Sequence, residues 1–244
     1  MPSVIVVGGG VAGLSAALFT ARAGLPTTVV SAGESILRRN AHLENYPGFP
    51  AGINPRLLLD LMREQAAEAG VEFVDERVQR VARDGEGFEL LVADGDRHDA
   101  DYVVAASWSD PTYLDSLDVE FADRGSKTFV GVDEFGETDV DGLYAAGRLA
   151  EKHHQAVVAA GHGAQVGIAV VEDSDVDFYH DWTVPEGYFT DRGREVPPGC
   201  EEIDDDERER RAAASIERLA AAFAEPHDGE PTPHPSLADD EPTE

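Results

Sequence analysis

Cysteine is nearly absent: Cys200 is the only one in 244 residues. No disulfide can form within the chain, and no Cys-x-x-Cys dithiol exists. Lysine is almost as scarce, with only Lys127 and Lys152. Basic residues number 19 against 49 acidic ones, for a formal net charge of -30. That charge repels the phosphates of nucleic acid and of anionic membranes, so neither is expected as a partner. No apolar run approaches the roughly 20 residues that span a bilayer. The opening MPSVIVVGGG lacks a basic flank, is too short for a secretory signal and reads as a first strand. Internal repeats, a P-loop and a Gly-x-Ser-x-Gly elbow are all missing, so NTPase and serine-hydrolase readings have no support.

The acids are spread along the chain rather than gathered in a tail. The pattern suits a solvated, halophile-type surface that stays soluble where salt screens its self-repulsion. A cytoplasmic protein of a salt-in organism is the expectation. Hydrophobic residues make up 42% of the chain, enough for a substantial core.

Ser3 to Val7 is a continuous apolar run of the kind found in a buried parallel strand. Val11 to Ala23, rich in Ala and Leu and stopped by Gly24, reads as a helix. Thr27 to Ser31 is β-branched and reads as a second strand. Asn54 and Pro55 predict an N-cap and a first helical position for a helix closing at Gly70. Residues 71–107 look like several short strands with turns at Gly85–Gly87 and Asp94–Asp96. Strands are expected at Thr128 to Val132 and Leu143 to Ala146, and a long helix over Gln155 to Val171. The fold class is therefore α/β: a Rossmann-like three-layer fold with a central parallel sheet and a small antiparallel β-meander. Boundaries are expected at 1–173 for the main domain, 174–224 for a C-terminal extension with a helix near 205–224, and 225–244 for a disordered acidic tail.

Gly8-x-Gly10-x-x-Gly13 follows a strand and opens a helix. Its glycines permit a tight turn and a close approach of a diphosphate to backbone N–H groups, where the positive helix end favours the charge. The position for an acid at the end of the second strand is Ser31, so Glu34, three residues on, becomes the candidate for the adenosine ribose. Arg38 and Arg39 either lie near the diphosphate or solubilise the loop.

Three separated segments, VIVVGGGVAGLSAALFTARAG, LENYPGFP and LYAAGRLAEKHHQAVVAAGHGAQVG, resemble thioredoxin reductase and its low-molecular-weight flavoprotein disulfide reductase relatives. The similarity covers about residues 3–107 and 128–171. It implies an FAD-binding domain in which Gly8, Gly10, Val11, Ala12 and Gly13 take the diphosphate and Glu34 holds the ribose. Asn45, Val78, Ala106, Gly147, Arg148, Gln155 and Ala156 would line the rest of FAD. The late glycine turn would serve the far end of one long cofactor, with the helix near Gln155 and Ala156 facing the flavin.

Three departures qualify that resemblance. Members carry an NADPH domain between a strand like DYVVAAS and one like TFVGV. Here only the 20 residues from Trp108 to Lys127 join the two, fewer than the roughly 50 of a minimal domain. The redox dithiol lies in that missing domain, and Cys200 cannot replace it. The family Ala-Gly-Asp is here Ala146-Gly147-Arg148, and an arginine cannot accept a hydrogen bond from the ribityl chain; it either donates to ribityl or diphosphate oxygens or obstructs the site.

His153, His154, His162 and His180 complete no metal-ligand pattern, so no metal is expected. His154 is the one weak catalytic candidate, as a proton or hydrogen-bond donor beside the flavin, with a surface helix-start histidine as the alternative. Trp108 and Trp182 either cover the flavin edge or pack. Gly161 to Gly163 reads as close helix packing. The functional expectation is a single-domain FAD oxidoreductase, not a dithiol thioredoxin reductase. Electrons would come from NADH or NADPH bound transiently, from another small-molecule donor, or from a redox partner protein; the family also implies a homodimer. A non-catalytic FAD or adenine-nucleotide module and an NAD-binding Rossmann enzyme without flavin stay open.

Overall fold

A computed structural model describes residues 1–234. The first strand, β1 (Val4–Val7), leads through a glycine turn into α1 (Val11–Arg22) and then β2 (Thr27–Val30). After a 3-10 turn at Ile36–Arg39 come α2 (Pro55–Glu68) and β3 (Glu72–Val74). A meander follows, β4 (Val78–Asp84), β5 (Gly87–Val92) and β6 (Arg97–Ala100), and β7 (Tyr102–Ala105) returns the chain to the main sheet. Next are β8 (Phe121–Asp123), β9 (Thr128–Val130), β10 (Leu143–Ala145) and α3 (Ala156–Asp173). The extension contains β11 (Trp182–Pro185), β12 (Cys200–Ile203) and α4 (Asp205–Ala222).

The central sheet has the order β10-β7-β1-β2-β3 with every pair parallel. Its strands are apolar on both faces because both faces are covered. Val4 and Val6 point into a cluster with Ala12, Ala16, Val166 and Val170 of α1 and α3. Ile5 and Val7 point the other way, into a cluster with Val81, Phe88 and Leu90 of the meander. The period-2 geometry of a strand thus divides one apolar run between two cores. The result is the three-layer, Rossmann-like arrangement expected, with β4-β5-β6 antiparallel.

Small residues bring α1 and α3 close together. A Cβ added to Gly163 would sit 2.0 Å from the Ala12 carbonyl oxygen, and one on Gly167 would sit 2.7 Å from that of Ala16. Gly161, on another face, meets nothing. The predicted N-cap of α2 forms: the Asn54 side chain accepts a hydrogen bond from the Arg56 N–H at 2.9 Å. Arg56 itself is buried and donates to the carbonyls of Arg38 and Asn40, fixing the loop before α2.

In the extension, β11 and β12 pair in parallel, and Trp182 stacks among His180, Tyr188 and Phe189. Cys200 is half-buried there, its thiol 3.4 Å from the His180 carbonyl. α4 meets the main domain through Arg218, which ion-pairs with Glu64 and Glu68, and through Phe223 against Phe49. Its apolar face remains open, with Ile216 69% and Leu219 48% exposed.

The tail differs from the disorder expected from residue 225. Up to His234 it lies along the loop after β2 and along α2. The Thr232 N–H donates to the Arg38 carbonyl at 3.2 Å, and His227 Nε2 lies 2.9 Å from Asp60. Polar contacts hold it, so a low apolar content did not leave it unattached. Residues 235–244, also expected to be disordered, lie outside the described residues.

Candidate functional site

A cavity of about 1050 Å³ opens beyond the carboxyl ends of β1, β2 and β7. This is where the sheet order departs in both directions from β1, the usual place for a ligand in an open α/β sheet. Its floor is the β1–α1 turn. Gly8 has φ +118, and a Cβ there would meet the Ala106 carbonyl oxygen at 2.6 Å, so only glycine fits. Gly10 is the N-cap of α1, and no side chain caps that helix. Its first-turn N–H groups are therefore left for a ligand, and the helix dipole favours an anion there.

Eleven of the thirteen predicted cofactor residues line this one cavity: Gly8, Gly10, Val11, Ala12, Glu34, Asn45, Val78, Ala106, Arg148, Gln155 and Ala156. Gly13 and Gly147 do not line it. A Cβ on Gly13 would sit 1.9 Å from the Gly8 carbonyl oxygen, so this glycine lets α1 start tightly under the turn. Gly147 has φ +66, and a Cβ there would meet the Ala12 Cβ at 2.6 Å. Both glycines shape the walls from behind.

At one end of the cavity, Glu34 accepts a hydrogen bond from the Thr232 hydroxyl of the tail. His234 lines the same region. Arg38 donates to Asp60 at 2.7 Å, while Arg39 lines the wall. At the other end, Asn45 Nδ2 donates to Gln155 Oε1 at 2.7 Å, joining the loop before α2 to the start of α3. No side chain caps α3, so this helix also presents free N–H groups.

Arg148 lies on the turn after β10. Its guanidinium stands 4.7 Å over the Phe129 ring, Nη1 donates to the Lys152 carbonyl at 3.0 Å, and Nε is buried without a partner. His154 also lines the cavity, edge-on to Trp108 at 4.5 Å between ring centroids. Burial, then Lys127, then Arg148, hold His154 below its ordinary range. His162 is buried behind the site. Its Nδ1 accepts the Gly147 N–H at 3.0 Å, and burial, with Lys152 adding, pushes it down to about 4.

Sequence reasoning missed Lys127, Ser107 and Tyr113, which all line the cavity. Ser107 Oγ donates to the Tyr113 hydroxyl at 2.8 Å, and burial pushes that phenol's pKa up. One signal was available for Lys127: it is one of two lysines in a strongly acidic chain. Trp108 lines the cavity, whereas Trp182 stacks in the extension and does not. His153 also lines it, but no group of three His, Cys, Asp or Glu able to hold a metal occurs among the described residues.

A parallel sheet with a glycine-turn helix and a second helix terminus over one long cavity defines a dinucleotide-binding α/β protein. The family comparisons make that more specific. Residues 3–42 match a family described as FAD binding domain, and residues 54–163 match one described as pyridine nucleotide-disulphide oxidoreductase. The bifunctional thioredoxin reductase/thioredoxin of Mycobacterium leprae is 41% identical over 114 residues, 46% of this chain and 25% of that protein. The thioredoxin reductase of Aquifex aeolicus is 37% identical over 106 residues, 43% of this chain and 33% of the relative. The chain spans about a quarter to a third of the curated relatives it matches.

Among solved structures, a thioredoxin reductase from Gloeobacter violaceus superposes with a TM-score of 0.65 at 18% identity. That match covers 71% of this chain and 95% of the other. An oxidoreductase from Agrobacterium tumefaciens gives 0.65 at 16%, covering 71% and 98%. Over the matched segments the chain resembles the FAD-binding part of thioredoxin reductase-like, FAD-dependent pyridine nucleotide-disulphide oxidoreductases. FAD is the cofactor to which this fold is matched. The glycine cradle at Gly8, the uncapped end of α1 and the buried unpartnered Nε of Arg148 all suit a long anionic, acceptor-rich group.

Proposed function

We propose that the chain is a compact FAD flavoprotein that passes electrons through its flavin without a dithiol step. The observation that carries this reading is one continuous cavity with an uncapped helix N-terminus at each half and no cysteine in its lining. Bound FAD would supply electron acceptance and release. The chain's own residues bind and orient. The α1 N-terminus faces the diphosphate, and Glu34 takes the adenosine ribose once Thr232 gives it up. Asn45 and Gln155 fix the flavin end through their shared hydrogen bond. The N–H groups at Ala156 favour negative charge there. Arg148 Nε donates to a cofactor oxygen, and His154 holds a hydrogen bond beside the ring.

The electron donor in this reading is NADH or NADPH, another small molecule, or a redox partner protein. No second nucleotide domain separates β7 from β9. A homodimer is in keeping with the open apolar face of α4. Anaerobic addition of NADH, NADPH or a reduced electron-transfer protein to the FAD-loaded chain should bleach the flavin bands with at least one donor. Thioredoxin disulfide should not be reduced at the expense of NADPH. Thioredoxin turnover at a family-like rate would sink the reading.

A second reading has its own observation. Thr232 occupies Glu34, as in a regulatory module whose tail and nucleotide exclude one another. That module would hold FAD or an adenine nucleotide without turnover, and every donor would leave the flavin oxidised.

A further inference from the structure

Lys127 and Arg148 stand beside the cavity without acidic partners. Among the described residues neither forms an ion pair, although acids outnumber bases 49 to 19. Of the other cavity arginines, Arg38 pairs with Asp60 and Arg63 with Asp75, while Arg39 and Arg77, away from these two cations, also form no ion pair among the described residues. Lys127 Nζ lies 5.5 Å from the Trp108 ring centroid, and His154 meets the same ring. Arg148 stacks on Phe129, two residues beyond Lys127. Both cations act on His154, and no carboxylate counters them. Asp110 lines the cavity too, but its Oδ1 accepts from the N–H and hydroxyl of Thr112.

Like charges drawn together in a partly buried site repel one another, and an anion relieves that repulsion. Two further features mark the cluster as shaped for a ligand. Beyond the Nε given to the cofactor, the same Arg148 fork keeps Nη2 without a hydrogen bond among the described residues. Trp108 holds φ +65, a left-handed conformation costly for a tryptophan. Trp108 and Lys127 are the two ends of the connection that carries the chain from β7 to β9, so closing that seam assembles the cluster. Gln155 follows His154 and bonds Asn45, which sets the cluster next to the end of the cavity assigned to the flavin.

We infer that Lys127, Arg148, His154 and Trp108 form a receptor for an oxyanion, a carboxylate or a phosphate, carried by the substrate that exchanges electrons here. The inference rests on the flavoprotein reading above. Arg148 supplies a donor on a planar fork, Lys127 a compact point charge, and Trp108 a flat wall between Lys127 and His154. The substrate is thus a small organic anion recognised by charge-assisted hydrogen bonds.

The test uses the full-length, FAD-loaded protein at constant ionic strength. Oxalate is titrated in one arm and inorganic phosphate in the other, by calorimetry. One equivalent of at least one probe should bind per chain, and the arm that binds names the oxyanion. Lys127→Met should weaken binding about tenfold or more, the scale of one charge-assisted hydrogen bond. Lys127→Arg should restore it, Arg148→Met should weaken it likewise, and FAD content should stay unchanged in the Lys127 variants. No saturable binding of either probe overturns the inference, as does binding unaffected by Lys127→Met. Loss of FAD from a folded Lys127→Met protein overturns it too, by assigning the cluster to the cofactor. A protein without flavin bands fails the flavoprotein reading before any anion is added, and the same titration on it still decides whether the cluster binds oxyanions.

Discussion

The Gly147 N–H donates to His162 Nδ1 at 3.0 Å. This bond ties the left-handed turn after β10 to the second turn of α3, behind the wall that carries Arg148. Since Nδ1 accepts, the imidazole is neutral with its proton on Nε2. Burial holds it in that form, at a pKa pushed down to about 4.

A pH dependence follows. The folded state binds the His162 proton less well than the unfolded chain, whose histidine titrates near 6.5. Its contribution is therefore full above about pH 6.5 and is lost as pH falls toward about 4. The interval corresponds to about 3 kcal/mol at roughly 1.4 kcal/mol per pH unit. His162→Gln keeps an acceptor without a titration, so the difference in unfolding free energy between wild type and variant should shrink across this window. His162→Leu leaves the Gly147 N–H unsatisfied and should cost about 1–3 kcal/mol at neutral pH. Urea melts at several pH values measure both.

The central layers were legible because their cause is local. Val4 to Val7 is apolar at every position, and a strand so composed must be covered on both faces. The glycine spacing after it left few alternatives for the turn. Gly13 and Gly147 show the limit of such spacing. Both read as cofactor contacts, yet neither lines the cavity: Gly13 is pressed against the Gly8 carbonyl and Gly147 against the Ala12 Cβ, and a glycine required by its neighbours looks the same in sequence as one required by a ligand. Lys127 was missed for a different reason. Its meaning depends on β9 returning the chain to Trp108, which is a tertiary event. The Thr232–Glu34 contact joins residues 198 apart and leaves no mark in local composition.

Helix contact sets the next expectation. A Cβ on Gly163 would lie 2.0 Å from the Ala12 carbonyl, backbone that cannot swing aside. Gly163→Ala should separate α3 from α1 and cost about 1–3 kcal/mol. At roughly 2–4 °C per kcal/mol for a chain this size, thermal melting resolves the loss. Gly161→Ala meets open space and should stabilise slightly or do nothing.

The tail competes for Glu34. Its carboxylate accepts from Thr232, and the ribose of FAD is assigned to the same group. Thr232→Val should tighten FAD binding by up to about tenfold, since one hydrogen bond to a charged group no longer has to be broken. Fluorescence titration of the FAD-free protein with FAD gives the comparison. Weaker binding by the variant would make Thr232 part of the cofactor site.

Salt dependence tests the acidic surface. A net charge of -30 repels itself, and added salt screens that repulsion. The melting temperature should climb steadily from about 0.1 M to 1 M salt, where the screening length falls from about 10 Å to 3 Å. A flat profile would contradict a halophile-type surface.

The central claim is that one cavity, between the turn at Gly8 and the start of α3 at Ala156, binds FAD. The most direct measurement is the visible absorption spectrum of protein purified in high salt, taken before and after denaturation. A yellow protein that releases close to one FAD per chain is the predicted result. A colourless protein that also fails to take up added FAD would contradict it.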